Sequence, residues 1–133
     1  MEGLYPQLPL KEVNQMNMLA LAHVGDAVYE LLVRSMLCSE KNAPVMQLHR
    51  LTVKKVCAEA QAAAAEKLLP RLTEEELAVY KRGRNTKVNS APHHAEIAQY
   101  HAATGLEALF GWLYLLGRLE RIDELFSAIT EES

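Results

Sequence analysis

Apolar positions recur at spacings of three and four through most of the chain, and strict alternation is almost absent, so the pattern predicts helices and no sheet. Over residues 15–38, Leu21, Val24, Val28, Leu31, Leu32 and Ser35 fall on one helical stripe. A polar break follows at 39–44, with Pro44 placed to open the next helix. Residues 45–69 contain no Gly or Pro and are rich in Ala, which predicts one long second helix ended by Pro70. Thr73 with Glu76 three residues on is a capping-box pattern, and Glu74 and Glu75 suit the positive end of the helix dipole. This third helix is expected to run to Arg82 and stop at Gly83. Residues 85–93, NTKVNSAPH, have turn chemistry and form the one substantial loop. A fourth long helix is expected over 94–116 and a short fifth over 119–130. Residues 1–14, with Pro6 and Pro9, read as an irregular arm entering a short helical turn. The expected fold class is all-α, as a single domain across residues 1–133.

Composition narrows the class. With 133 residues, 50% of them hydrophobic and a net charge of −3, the chain can bury a core and is not disordered as a whole. Six glycines and no recurring period exclude collagen-like and repeat architectures. Cys38 and Cys57 make no disulfide framework and are expected to be buried or partly buried thiols in a reducing compartment. No export signal opens the chain, and His23, Asp26, Glu30 and Glu107 interrupt the apolar stretches well short of the ~20 residues a membrane span needs. The expectation is a cytoplasmic protein without a membrane partner. A mildly acidic sum does not advertise nucleic-acid binding, but it can hide a local basic patch.

Two acids stand out. Asp26 lies within LALAHVGDAVYELL, one turn from Ala22, His23, Tyr29 and Glu30, with the Leu and Val stripe expected on the opposite face. Glu107 lies within ATGLEALFGWLYLLG, one turn from Ala103, Thr104, Phe110 and Gly111. Carboxylates set mid-helix among apolar residues are costly to desolvate unless something positive compensates them. Gly25 and Gly111 sit beside them, and a helix glycine that costs ~1 kcal/mol against Ala makes sense where two backbones must approach closely. Such a crossing would bring Asp26 and Glu107 together as a hard-oxygen site for Mg²⁺, with Mn²⁺ as an alternative. Equally, Gly25-Asp26 could be a helix stop followed by an N-cap, and Glu107 could face solvent.

Lys81, Arg82, Arg84 and Lys87, with Asn85 among them, concentrate positive charge in YKRGRNTK and could grip phosphates. Capping the negative end of the third helix explains Arg82 as well, but not the residues beyond Gly83. His49, Arg50, Lys54 and Lys55 make a second basic stripe, read as a solvated face whose sign suits an A-form duplex. His93, His94, His101 and Glu96 match no zinc spacing, and no nucleotide loop or Ser-His-Asp arrangement is present. The run around Phe110, Trp112 and Tyr114 reads as core or as a subunit contact.

At these residues the chain resembles the ribonuclease III family. The family's Leu-Gly-Asp-Ala-Val core is seen here as Val24-Gly25-Asp26-Ala27-Val28, and its Glu-Ala-Leu-x-Gly core as Glu107-Ala108-Leu109-Phe110-Gly111. With KRGRN between them, the closer similarity is to the Mini-ribonuclease III branch, which consists of the catalytic domain without a double-stranded RNA-binding domain. The resemblance implies an all-α homodimer that cuts double-stranded RNA with divalent metal, leaving 5′-phosphate and 3′-hydroxyl ends. It further implies 23S ribosomal RNA precursor as substrate, with ribosomal proteins as possible guides. Asp26 and Glu107 match the family's metal-binding catalytic acids, Arg82, Arg84, Asn85 and Lys87 would hold RNA, and His23, Glu30 and Thr104 could orient or hydrate the ion. Two positions depart from the usual signature: Ala22 and Thr104 stand where it has a glutamate and an aspartate. Their loss favours a rival reading, a non-catalytic RNA- or ribosome-binding module of the same fold, whereas retention of Asp26 and Glu107 favours the enzyme. A small-molecule metallohydrolase is disfavoured by the cationic KRGRN stretch.

Overall fold

α6 (Ile97–Leu115) is the central element, buried from Ala103 to Leu113 except at the half-buried Glu107, as a helix apolar almost all round requires. Around it stand α1 (Leu10–Asn14), α2 (Met18–Glu40), α3 (Val45–Val56), α4 (Ala58–Leu68), a 3₁₀ turn at Leu69–Arg71, α5 (Glu74–Arg84) and α7 (Leu119–Thr130). The structure, a computed structural model, describes residues 3–86 and 96–131, and among these there is no strand. None of the described helices is long and apolar enough to cross a membrane.

Local chemistry sets the helix ends. The Asn17 side chain accepts from the Ala20 N–H at 2.8 Å and starts α2. Thr73 and Glu76 form the expected capping box at α5. Burial alone would push the Glu76 carboxyl up. Two bonds of 2.9 Å from Arg121 on α7, with the Thr73 N–H, hold it below the usual range and tie α5 to α7. Gly117, at φ 80°, ends α6: its N–H reaches the Tyr114 carbonyl and the Arg118 N–H that of Leu113, a Schellman motif.

Four sequence expectations need correction. The second helix is two: Cys57, at φ −66° and ψ 160°, breaks it into α3 and α4. The bend lets α3 lie on α2 while α4 packs on α6, which one straight rod does not do. Gly83 is not a stop but lies inside α5, where a Cβ would sit 2.9 Å from the Ala108 Cβ. In α2 the buried face is Leu21, Ala22, Gly25, Tyr29, Val33 and Leu37, whereas Val24, Val28 and Leu32 are half-buried and Leu31 is 63% exposed. Cys38 and Cys57 are exposed rather than buried. The aromatic run also sorts itself: Phe110 and Trp112 are core and offer no subunit contact, and Tyr114 alone reaches the surface, donating to the Leu4 carbonyl.

Candidate active site

Glycines bring the two acidic helices into contact. A Cβ on Gly25 would overlap the Glu107 carbonyl, and one on Gly111 would overlap the Leu21 carbonyl, so α2 and α6 cross backbone against backbone. α2 runs unbroken through Gly25-Asp26, which disposes of the split-helix alternative. At the crossing Asp26 and Glu107 lie within hydrogen-bonding reach of each other. Burial first, and then the facing Asp26 by charge and by hydrogen bonding, push the Glu107 carboxyl up to about 8. One group acts in the opposite sense: the Gln61 Nε2–H of α4 donates to Glu107 Oε2 at 3.4 Å. Two hard carboxylates in conflict are relieved by a proton or a cation, and this donor set suits a hydrated divalent ion. Among the described residues no three His, Cys, Asp or Glu side chains gather, so the protein offers the pair and little further ligand charge.

The other candidates occupy varied places. Thr104 is buried next to Glu107 in the helix, its hydroxyl donating to the Tyr100 carbonyl at 3.0 Å. Ala22 is buried in the core face. Glu30 pairs with Arg34 at 2.7 Å, and His23 lines an apolar groove beside Val24 and Val28. His101 is half-buried, while Lys87, His93 and His94 lie outside the described residues.

The basic end of α5 is carried to the same stretch of α6. Gly83 packs 3.0 Å from the Gly105 Cα by its would-be Cβ, two residues before Glu107, with Lys81, Arg82 and Arg84 in the last turn of α5. Arg82 is exposed, and Arg84 is braced, its guanidinium 5.7 Å above the Tyr80 ring and its Nε donating to Asn85 Oδ1 at 3.2 Å. Asn85 caps the helix in αR conformation. His49, Arg50, Lys54 and Lys55 are exposed on α3, as expected of a solvated face.

Sequence reasoning missed Gln61. Its signal was available: it shares the stripe Gln61, Ala64, Ala65, Leu68, the i, i+3, i+4, i+7 pattern of a buried helix face, and a polar residue there asks for a reason.

Comparison with known proteins gives the family. The Ribonuclease III domain matches residues 19–118, a span holding both acids. A Mini-ribonuclease 3 of Clostridium tetani is 42% identical over 120 residues, covering 90% of this chain and 80% of the relative. That of Symbiobacterium thermophilum is 47% identical over 113 residues, covering 85% and 87%. A crystal structure of a Fusobacterium nucleatum protein aligns with a TM-score of 0.79 at 30% identity, over 89% of this chain and 94% of that one. The chain therefore belongs to the ribonuclease III family, whose members are endoribonucleases that act on double-stranded RNA and generally use divalent metal ions.

Proposed function

We propose that Asp26 and Glu107 are the catalytic, metal-holding pair of this endoribonuclease, and that its RNA is a 23S ribosomal RNA precursor in the bacterial cytoplasm. The observation that carries the assignment is the glycine crossing, which sets the exposed Asp26 carboxylate against the half-buried Glu107. When bound, Mg²⁺ or Mn²⁺ supplies a Lewis acid for the phosphoryl oxygens and lowers the pKa of a water, giving 5′-phosphate and 3′-hydroxyl ends. Asp26 and Glu107 hold the ion by their oxygens. Arg82, Arg84, Asn85 and Lys87 grip the duplex backbone, giving affinity and orientation with little sequence information. The chain works as one domain and as a homodimer, whose second copy covers the apolar groove of α2 and lends a second basic patch to the same duplex.

The test is cleavage of a labelled RNA duplex with and without Mg²⁺. Asp26→Asn is expected to lose cleavage at least a thousandfold while duplex binding and the melting temperature stay near wild type. An Asp26→Asn protein that still cuts removes this pair from the mechanism. A wild type that binds the duplex and never cuts it would leave the binding-module reading instead.

A further inference from the structure

Gln61 is 1% exposed, and its amide is only half used. Nε2 donates to Glu107 Oε2 at 3.4 Å, whereas Oε1 is buried with no hydrogen-bond partner. The opposite amide orientation does not repair this: it would give Oε1 a donor only while Glu107 is protonated, and would leave the NH₂ group as the orphan. A buried acceptor without a donor has lost its water and gained nothing in exchange. Packing gives no return for that cost, since the rest of the stripe is Ala64, Ala65 and Leu68, and a Leu or Met would fill the position.

The missing donor belongs on the Glu107 side. The two polar atoms of one amide are about 2 Å apart, so Oε1 lies within a water's span of the carboxylate that Nε2 touches. Once a cation holds them ionised, Asp26 and Glu107 only accept. Thr104 has already given its proton to the Tyr100 carbonyl. What supplies donors next to two carboxylates is water carried by a hard divalent cation, which keeps several of its waters when few protein ligands hold it.

Resting on the reading of Asp26 and Glu107 as metal ligands, we propose that Gln61 is a positioning residue of this site. Its Nε2–H fixes the Glu107 carboxylate, and its Oε1 accepts a hydrogen bond from a water of the bound cation. Gln61 touches no RNA in this assignment; it acts through Glu107 and the hydrated ion, as groups behind metal ligands do elsewhere at a cost of 10–100-fold in affinity when removed.

The experiment measures Mn²⁺ binding to the RNA-free full chain by calorimetry, with the melting temperature as a control for folding. Gln61→Met, near in volume and without polar atoms, is expected to weaken binding at least tenfold. Gln61→Glu keeps an acceptor at the same reach but loses the Nε2–H, and is expected to bind Mn²⁺ more tightly than Gln61→Met. A Gln61→Met protein within twofold of wild type, or a Gln61→Glu protein as weak as Gln61→Met, overturns the proposal. Should the Met variant not fold, the wild type decides. On titration with diamagnetic Mg²⁺, the Gln61 side-chain NH₂ resonances must shift with the same apparent affinity as the Glu107 backbone amide, and an unmoved Gln61 overturns it. Asp26→Asn run alongside separates the two levels. If it abolishes Mn²⁺ binding while Gln61→Met does not weaken it, only the role of Gln61 falls. If it binds as wild type does, the metal-site reading falls too.

Discussion

Glu107 has a conflict with Asp26 that its surroundings only partly relieve, and the conflict has a pH signature. Burial first, and then the facing Asp26, raise its carboxyl to about 8, above the unfolded value of 4.5. Between those two values the folded, metal-free chain holds a proton that the unfolded chain has released, so stability falls as pH rises through this window. Below 4.5 both states are protonated, and above 8 the loss is complete. Glu107→Gln keeps the Gln61 contact available and removes the ionisation. In chelator at pH 8.5 it is expected to be more stable than wild type by about 1–3 kcal/mol, and at pH 4.5 by much less. Melting curves at the two pH values check this, and an equal difference at both would show that no such conflict exists. Added Mg²⁺ should stabilise the wild type and leave Glu107→Gln unmoved, because a cation relieves the same repulsion a proton does.

At the scale of the helices, the site depends on how closely α2 and α6 approach. Gly111→Ala gains ~1 kcal/mol of helix propensity but drives a methyl into the Leu21 carbonyl, with Gly25 N only 2.9 Å away. Overpacking of this kind costs ~1–3 kcal/mol, so the variant is expected to melt below wild type and to lose most cleavage even where it is fully folded. Full activity at an unchanged melting temperature would show that the crossing is not needed. This crossing was legible in the sequence because glycine inside an apolar helix is out of place without a close neighbour. The break at Cys57 was not legible, since no Gly or Pro marks it and the Ala-rich sequence favours continuing the helix. Only the need to cover α2 with one half and α6 with the other bends the chain there. Gly83 misled for a related reason: a glycine near a basic helix end fits a C-terminal stop as well as a packing contact, and Gly105 on α6 decides between them. Gln61 escaped because an isolated Gln among alanines carries no motif until Glu107 is found beside it.

For the whole molecule, α2 offers two apolar stripes, and periodicity alone does not say which one faces inward. The stripe with the small residue at its centre wins, since only Gly25 admits α6 at backbone distance. Val24, Val28, Leu31 and Leu32 are thereby left on the outside, and with Tyr114 and Leu119 they line an apolar groove of about 560 Å³. With Phe110 and Trp112 consumed by the core, this surface is the one we propose for the docking of a second copy. In that proposal the helix that carries Asp26 on its site side carries the subunit contact on the other, and dimerisation would brace the α2 half of the acidic pair. Leu31→Glu sets a charge into that contact, where Leu31 is 63% exposed and its replacement costs the isolated fold little. The variant is expected to sediment as a monomer at concentrations where the wild type is a dimer, with helix content unchanged and duplex affinity reduced at least tenfold as the linked second patch is lost. Sedimentation velocity and a salt titration of duplex binding check both halves. A Leu31→Glu protein that remains dimeric would move the subunit contact elsewhere and leave this groove to another occupant.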